Sequence, residues 1–112
     1  MISARIVSDQ TSTFPSDTVP EVPMVKPPIT ISYGSNLSIH PSVFINQNCL
    51  IGDTPVCSVT IGAHTLVGPY VRIYGVTHPL DWRDRRGREG PSLAGAVRIG
   101  ENVWIGDGVI IM

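Results

Sequence analysis

Charge is scarce in this sequence, and neither sign prevails. Of 112 residues 15% are charged, eight Lys and Arg against nine Asp and Glu, for a formal net of −1. That balance excludes the basic stripe of a general nucleic-acid binder and the polybasic segment of a membrane-surface protein. Aromatic residues make up only 6%, so a core must be built from Ile, Val and Leu. Cysteine occurs twice, at Cys49 and Cys57, with no CxxC pair. Two such cysteines give no disulfide framework and point to a reducing, cytoplasmic compartment. No apolar run reaches the roughly 20 residues of a membrane-crossing helix. Residues 1–10 lack the basic-then-apolar order of a secretory signal. With 42% hydrophobic residues, the chain nevertheless has the apolar surface to fold as one domain.

Glycine is also missing, but only from one part. None occurs before Gly34, whereas five of the ten prolines (Pro15, Pro20, Pro23, Pro27 and Pro28) fall in that stretch. So many prolines exclude a long helix or a central strand. Residues 1–31 therefore read as an extended, proline-rich N-terminal arm, and residues 32–112 as the folded domain.

That domain carries a repeat. Aliphatic residues recur every six positions in three runs: Ile39, Ile45, Ile51; Ile61, Val67, Ile73; and Ile99, Ile105, Ile111. Glycine follows directly at Gly52, Gly62, Gly68, Gly100 and Gly106, and a small or apolar residue stands two positions earlier, as in Val59-Thr60-Ile61-Gly62. Val-x-Ile alternates with the period of a strand, so both apolar side chains face one side. Branched side chains suit that extended backbone, and glycine reads as the corner residue. Three six-residue units make a triangular coil of eighteen residues, and stacked coils pair their strands in parallel at ~4.8 Å. Each inward Ile would contribute roughly 1.5–3 kcal/mol on burial. A small β-sandwich also alternates, but it would not hold a six-residue step with glycine in phase.

Two breaks interrupt the step: one of four extra residues at 53–58, and one across the polar stretch 77–96. Loops that break a solenoid are where function is grafted. The longer one contains Thr77-His78-Pro79-Leu80-Asp81 and the cluster Arg83, Arg85, Arg86, Arg88. His78 has the chemistry of a general base near neutral pH; by position alone it is equally a surface histidine in a turn. The arginines could meet phosphates, although the interleaved Asp84 and Glu89 fit a solvated loop. His40, His64 and His78 show no close pair of the kind a zinc site would use.

Five segments in order, Ser32-Tyr33-Gly34-Ser35-Asn36, Phe44-Ile45-Asn46-Gln47-Asn48, Val59-Thr60-Ile61-Gly62, Thr77-His78-Pro79-Leu80-Asp81 and Asn102-Val103-Trp104-Ile105-Gly106, carry a resemblance. Over about residues 27–112 the sequence resembles the hexapeptide-repeat maltose and galactoside O-acetyltransferases, including the nodulation acetyltransferases. The resemblance implies a left-handed parallel β-helix, a homotrimer with active sites between subunits, and acetyl-CoA as donor to a sugar-like hydroxyl. It implies His78 as general base without an acyl-enzyme, and Asn46 beside the reacting groups. Ser32 and Asp53 would contact the acceptor, while Trp104 and Asp107 would lie near the pantetheine arm of acetyl-CoA. Asn46 and Asp53 also suit plain corner geometry, and Trp104 a subunit contact.

Three features depart from that family. Ser92 stands where a glutamate usually orients the histidine, with Glu89 or Asp81 as candidate substitutes. The proline-rich arm replaces an N-terminal helical region. The sequence stops at Met112 within a coil, where family members continue. The competing reading is therefore a non-catalytic, truncated β-helix serving in assembly or interaction.

Overall fold

The structure, a computed structural model, describes residues 21–112. The first twenty residues of the expected arm lie outside the described residues. Thirteen short strands follow: β1 Met24–Val25, β2 Ile29–Ile31, β3 Leu37–Ile39, β4 Phe44–Ile45, β5 Cys49–Gly52, β6 Val59–Ile61 and β7 Leu66–Val67, then β8 Arg72–Tyr74, β9 Val76–Thr77, β10 Leu93–Ala94, β11 Val97–Ile99, β12 Trp104–Ile105 and β13 Ile110–Ile111. A one-turn helix, Trp82–Arg85, and a 3₁₀ turn, Gly87–Glu89, occupy the long loop.

Successive strands are dealt in rotation to three parallel sheets. The first sheet stacks β1-β4-β7-β12, the second β2-β5-β8-β13 and the third β3-β6-β11. The chain is therefore all-β and wound as a three-sided coil, with β9 and β10 as an antiparallel hairpin outside the stack. The six-residue step has become structure. In-register ladders run Ile45-Val67-Ile105 in the first sheet, Ile51-Ile73-Ile111 in the second and Ile39-Ile61-Ile99 in the third. Their inner members form the buried core with Val43, Val59 and Val71. Where the pattern places a polar group inside, it is satisfied. The buried Thr65 hydroxyl donates to the Gly100 carbonyl at 2.9 Å and accepts from the Val103 N–H at 3.3 Å. The Cys49 thiol points at the Gly68 carbonyl at 3.1 Å, and burial pushes it above the usual thiol range.

The coil starts earlier than residue 32. β1 pairs with β4 and β2 with β5, so Met24–Ile31 supplies two sides of a first layer. Short two- and three-residue strands fit between prolines at positions 23, 27 and 28, which a longer strand could not do.

The glycines after each Ile have a different role from the one their spacing suggested. Positive φ belongs to the residue two positions further on: His64 (59°), Tyr70 (60°), Asn102 (58°) and Gly108 (73°). Gly62 and Gly68 are required by close approach between layers instead. A Cβ on Gly62 would stand 2.7 Å from the Gly100 backbone, and one on Gly68 2.9 Å from the Ile105 carbonyl oxygen. Gly95, outside the stack, by contrast has nothing within 4 Å of such an atom. Gly62→Ala is therefore expected to lower stability by about 1–3 kcal/mol through overpacking, and Gly95→Ala by less than about 0.5 kcal/mol. Urea midpoints of the two variants check this; equal midpoints would refute the close-approach account.

All departures from the six-residue step leave the coil by one corner. Between the second and third sheets, Ile31 and Ile39 are eight residues apart, Ile51 and Ile61 ten, and Ile73 and Ile99 twenty-six. The first of these was not legible as an insertion until β2 was seen. Stacked on one another, the three excursions build a wall along a single edge of the prism.

Candidate functional site

The stacked corner encloses a groove of ≈ 320 Å³. Ser32 and Tyr33 come from the first excursion, Asp53, Thr54, Pro55 and Val56 from the second, and Val76, Ser92, Leu93 and Ala94 from the hairpin. Ser32 is exposed at its mouth, while its backbone N–H is tied to the Ile51 carbonyl at 3.1 Å. Asp53 is only 2% exposed. Its Oδ1 accepts from the Tyr33 N–H and its Oδ2 from the Gly34 N–H, both at 2.8 Å. Thr54 braces the second excursion by accepting the Cys57 N–H at 3.0 Å. The lining therefore offers hydroxyls and apolar surface, with its one charged side chain turned inward.

His78 follows β9 directly and is exposed. The hairpin register pairs Thr77 with Leu93, so one step further along the antiparallel pair Ser92 stands across from His78. Among the described residues no hydrogen bond holds the His78 ring. Asp81 is committed elsewhere. It caps the Trp82–Arg85 helix by accepting the Arg83 N–H at 2.9 Å and forms an ion pair with the Arg83 guanidinium at 2.8 Å. That guanidinium holds the Asp81 carboxyl below the usual carboxylate range. Glu89 lies exposed in the 3₁₀ turn.

A second groove, of ≈ 250 Å³, opens on the first sheet and the corner after it. Asn46, Trp104 and Asp107 line it together with Phe44, Leu66 and Pro69. The Asn46 Oδ1 accepts the Gln47 N–H at 2.8 Å, which leaves the side-chain NH₂ free to donate outward. Trp104 is 81% exposed. The expected site residues thus fall into two groups: Ser32 and Asp53 in one groove, and Asn46, Trp104 and Asp107 in the other. His78 lines neither. Among the described residues no three of His, Cys, Asp and Glu gather as metal ligands. Tyr33 and Val56 went unnoticed as groove walls because only the stacking of the excursions makes them neighbours. The eight-residue step from Ile31 to Ile39 was the available signal.

No family model matches the chain. Individual proteins do. Nodulation protein L of Rhizobium meliloti is 45% identical over 89 residues, 80% of this chain and 46% of that protein. Galactoside O-acetyltransferase of Escherichia coli is 39% identical over 94 residues, 84% of this chain and 44% of that protein. A Vibrio cholerae hexapeptide-repeat acetyltransferase, solved in complex with acetyl coenzyme A, superposes with a TM-score of 0.57. It is 33% identical, over 79% of this chain and 49% of that structure. Over about four fifths of its length the chain is similar to these acetyltransferases. It spans less than half the length of the curated relatives it matches. The six-residue ladder explains the coil, while the corner excursions and the β9–β10 hairpin wall the first groove.

Proposed function

We propose that this chain forms an acetyl-CoA-dependent O-acetyltransferase acting on a hydroxyl of a sugar or similar small acceptor, as a cytoplasmic homotrimer of left-handed β-helices. The observation that carries the proposal is the groove walled by Ser32 and the β9–β10 hairpin, uncharged at its accessible surface and edged by the loop that presents His78. In this reading the His78 imidazole takes the proton of the acceptor hydroxyl. The oxygen attacks the thioester carbonyl carbon, the carbon–sulfur bond breaks, and coenzyme A leaves as a thiolate that regains the proton from the imidazolium. The Asn46 NH₂ is a donor suited to the developing negative charge. Trp104 and Asp107 flank the course of the pantetheine arm.

Two separated grooves call for a second copy of the chain. The outward-facing positions of the first sheet support one: Met24, Phe44, Leu66 and Trp104 stand in register, and three of them are 66%, 50% and 81% exposed. A continuous apolar ladder of this kind marks an interaction surface. Packed about a three-fold axis, the His78 loop of one copy would meet the Asn46 groove of the next. The competing reading, a non-catalytic assembly module, draws on Ser92 in place of a glutamate. Calorimetry with acetyl-CoA and the solution mass of the same purified sample separate the two. Saturable binding by a particle of three chains is expected, with Trp104→Asp abolishing both. A well-folded monomer that binds no acetyl-CoA would sink the enzyme reading.

A further inference from the structure

We propose that Asp53 is a positioning residue. Its carboxylate plugs a backbone cradle formed by Tyr33 and Gly34, fixes the Ser32 corner against the groove, and does not itself touch the acceptor. The proposal rests on reading that groove as the acceptor site.

The geometry is specific. Consecutive N–H groups of Tyr33 and Gly34 each donate to a different oxygen of the same carboxylate, both at 2.8 Å. Gly34 has φ +81°, the left-handed conformation in which successive N–H groups turn toward one side and form an anion-binding concavity. Here the anion is supplied by the next layer of the coil. With the side chain 2% exposed, a sugar hydroxyl could reach Asp53 only by opening the corner that the carboxylate holds shut. Further bonds anchor the same segment. Ser32 donates its N–H to the Ile51 carbonyl at 3.1 Å, the Asn36 side-chain amide donates to the Thr54 carbonyl at 3.1 Å, and the Val59 N–H reaches the Asn36 carbonyl at 2.9 Å. The plug lies in the middle of these ties, under Ser32 and the exposed Tyr33 ring. Hydrogen bonds from N–H groups to an ionised carboxylate are about twice as strong as neutral ones, so the plug is the strongest tie across the corner.

A carboxylate that contacts substrate and one that plugs a backbone cradle respond differently to substitution. An asparagine could still hydrogen-bond an acceptor hydroxyl. In the cradle it must set its NH₂ against one of two N–H donors, so Asp53→Asn would fail almost as Asp53→Ala does. Gly34→Ala, strained at positive φ, distorts the cradle without altering Asp53. The test is amide hydrogen exchange at Tyr33 and Gly34 in the full chain, combined with acceptor KM and kcat for all three variants, with and without added formate. Exchange at both amides should accelerate roughly tenfold or more in each variant. Acceptor KM should rise roughly tenfold with a smaller change in kcat. Formate should refill the cradle and restore Asp53→Ala, but not Gly34→Ala. Unchanged exchange in Asp53→Ala, or near-normal KM in Asp53→Asn beside an impaired Asp53→Ala, would overturn the proposal. If the unaltered chain transferred no acetyl group, the exchange result would still decide whether the plug exists, while the acceptor-site reading would fail separately.

Discussion

His78→Ala is expected to lower kcat for acetyl transfer by roughly 10²–10⁴-fold, the usual cost of losing a general base, and to leave acetyl-CoA binding unchanged. The second half of that expectation follows from geometry. His78 lies on the loop after β9, whereas Trp104 and Asp107 line the groove on the first sheet. The size of the loss depends on what supports the imidazolium during proton transfer. Asp81 is bound to Arg83 and turned into its own helix cap. The position across the hairpin from His78 is Ser92, which can accept a hydrogen bond but brings no charge to stabilise the cation. Ser92→Glu, measured in the same assay, should therefore raise the rate of the unaltered chain and shift the limb of its pH–rate profile governed by His78 upward, as a neighbouring carboxylate favours imidazolium. Single-turnover rates with saturating donor give the chemical step directly. A His78→Ala rate within twofold of the unaltered chain would remove His78 from the mechanism.

The solenoid was legible because its period is short and its physics local. Ile39, Ile45 and Ile51 each announce one strand, and stacking then follows from burying one face of every strand. The glycines misled in mechanism although not in position. Sequence shows that Gly62 repeats with Gly100, but only the stack reveals that Gly62 is pressed on the Gly100 carbonyl of the next layer. The start of the coil was missed because a proline-rich segment was judged against long strands, while the coil needs only Met24–Val25 and Ile29–Ile31. The first sheet's outer ladder was also present in the sequence, at the middle position of the Val-x-Ile unit. Leu66 and Trp104 occupy a place where Thr60 and Arg98 stand on the third sheet. Grouping of the site residues was not legible, since a repeat of six residues assigns each to a corner without saying which corners adjoin.

Ile61→Ala should lower stability by about 2–5 kcal/mol while leaving both grooves untouched. Ile61 is 1% exposed and sits in the middle of the third sheet, paired with Ile39 on one side and Ile99 on the other. Removing its side chain opens a cavity against both ladder neighbours, and the two flanking layers are fixed by their own hydrogen bonds, so the site collapses little. Ile39, in the same ladder but only partly buried, has a ladder neighbour on one side among the described residues and should lose less, nearer the low end of that range. Solenoid stability is a sum of layer and nearest-neighbour terms, which makes this gradient the signature of the architecture. In a two-layer sandwich the cost would follow distance from a single core centre, with no reason for Ile39 and Ile61 to differ by their place along one ladder. Chemical denaturation of the two variants at equal concentration measures the difference. Equal losses would mean that the layers do not stack as independent units along the coil.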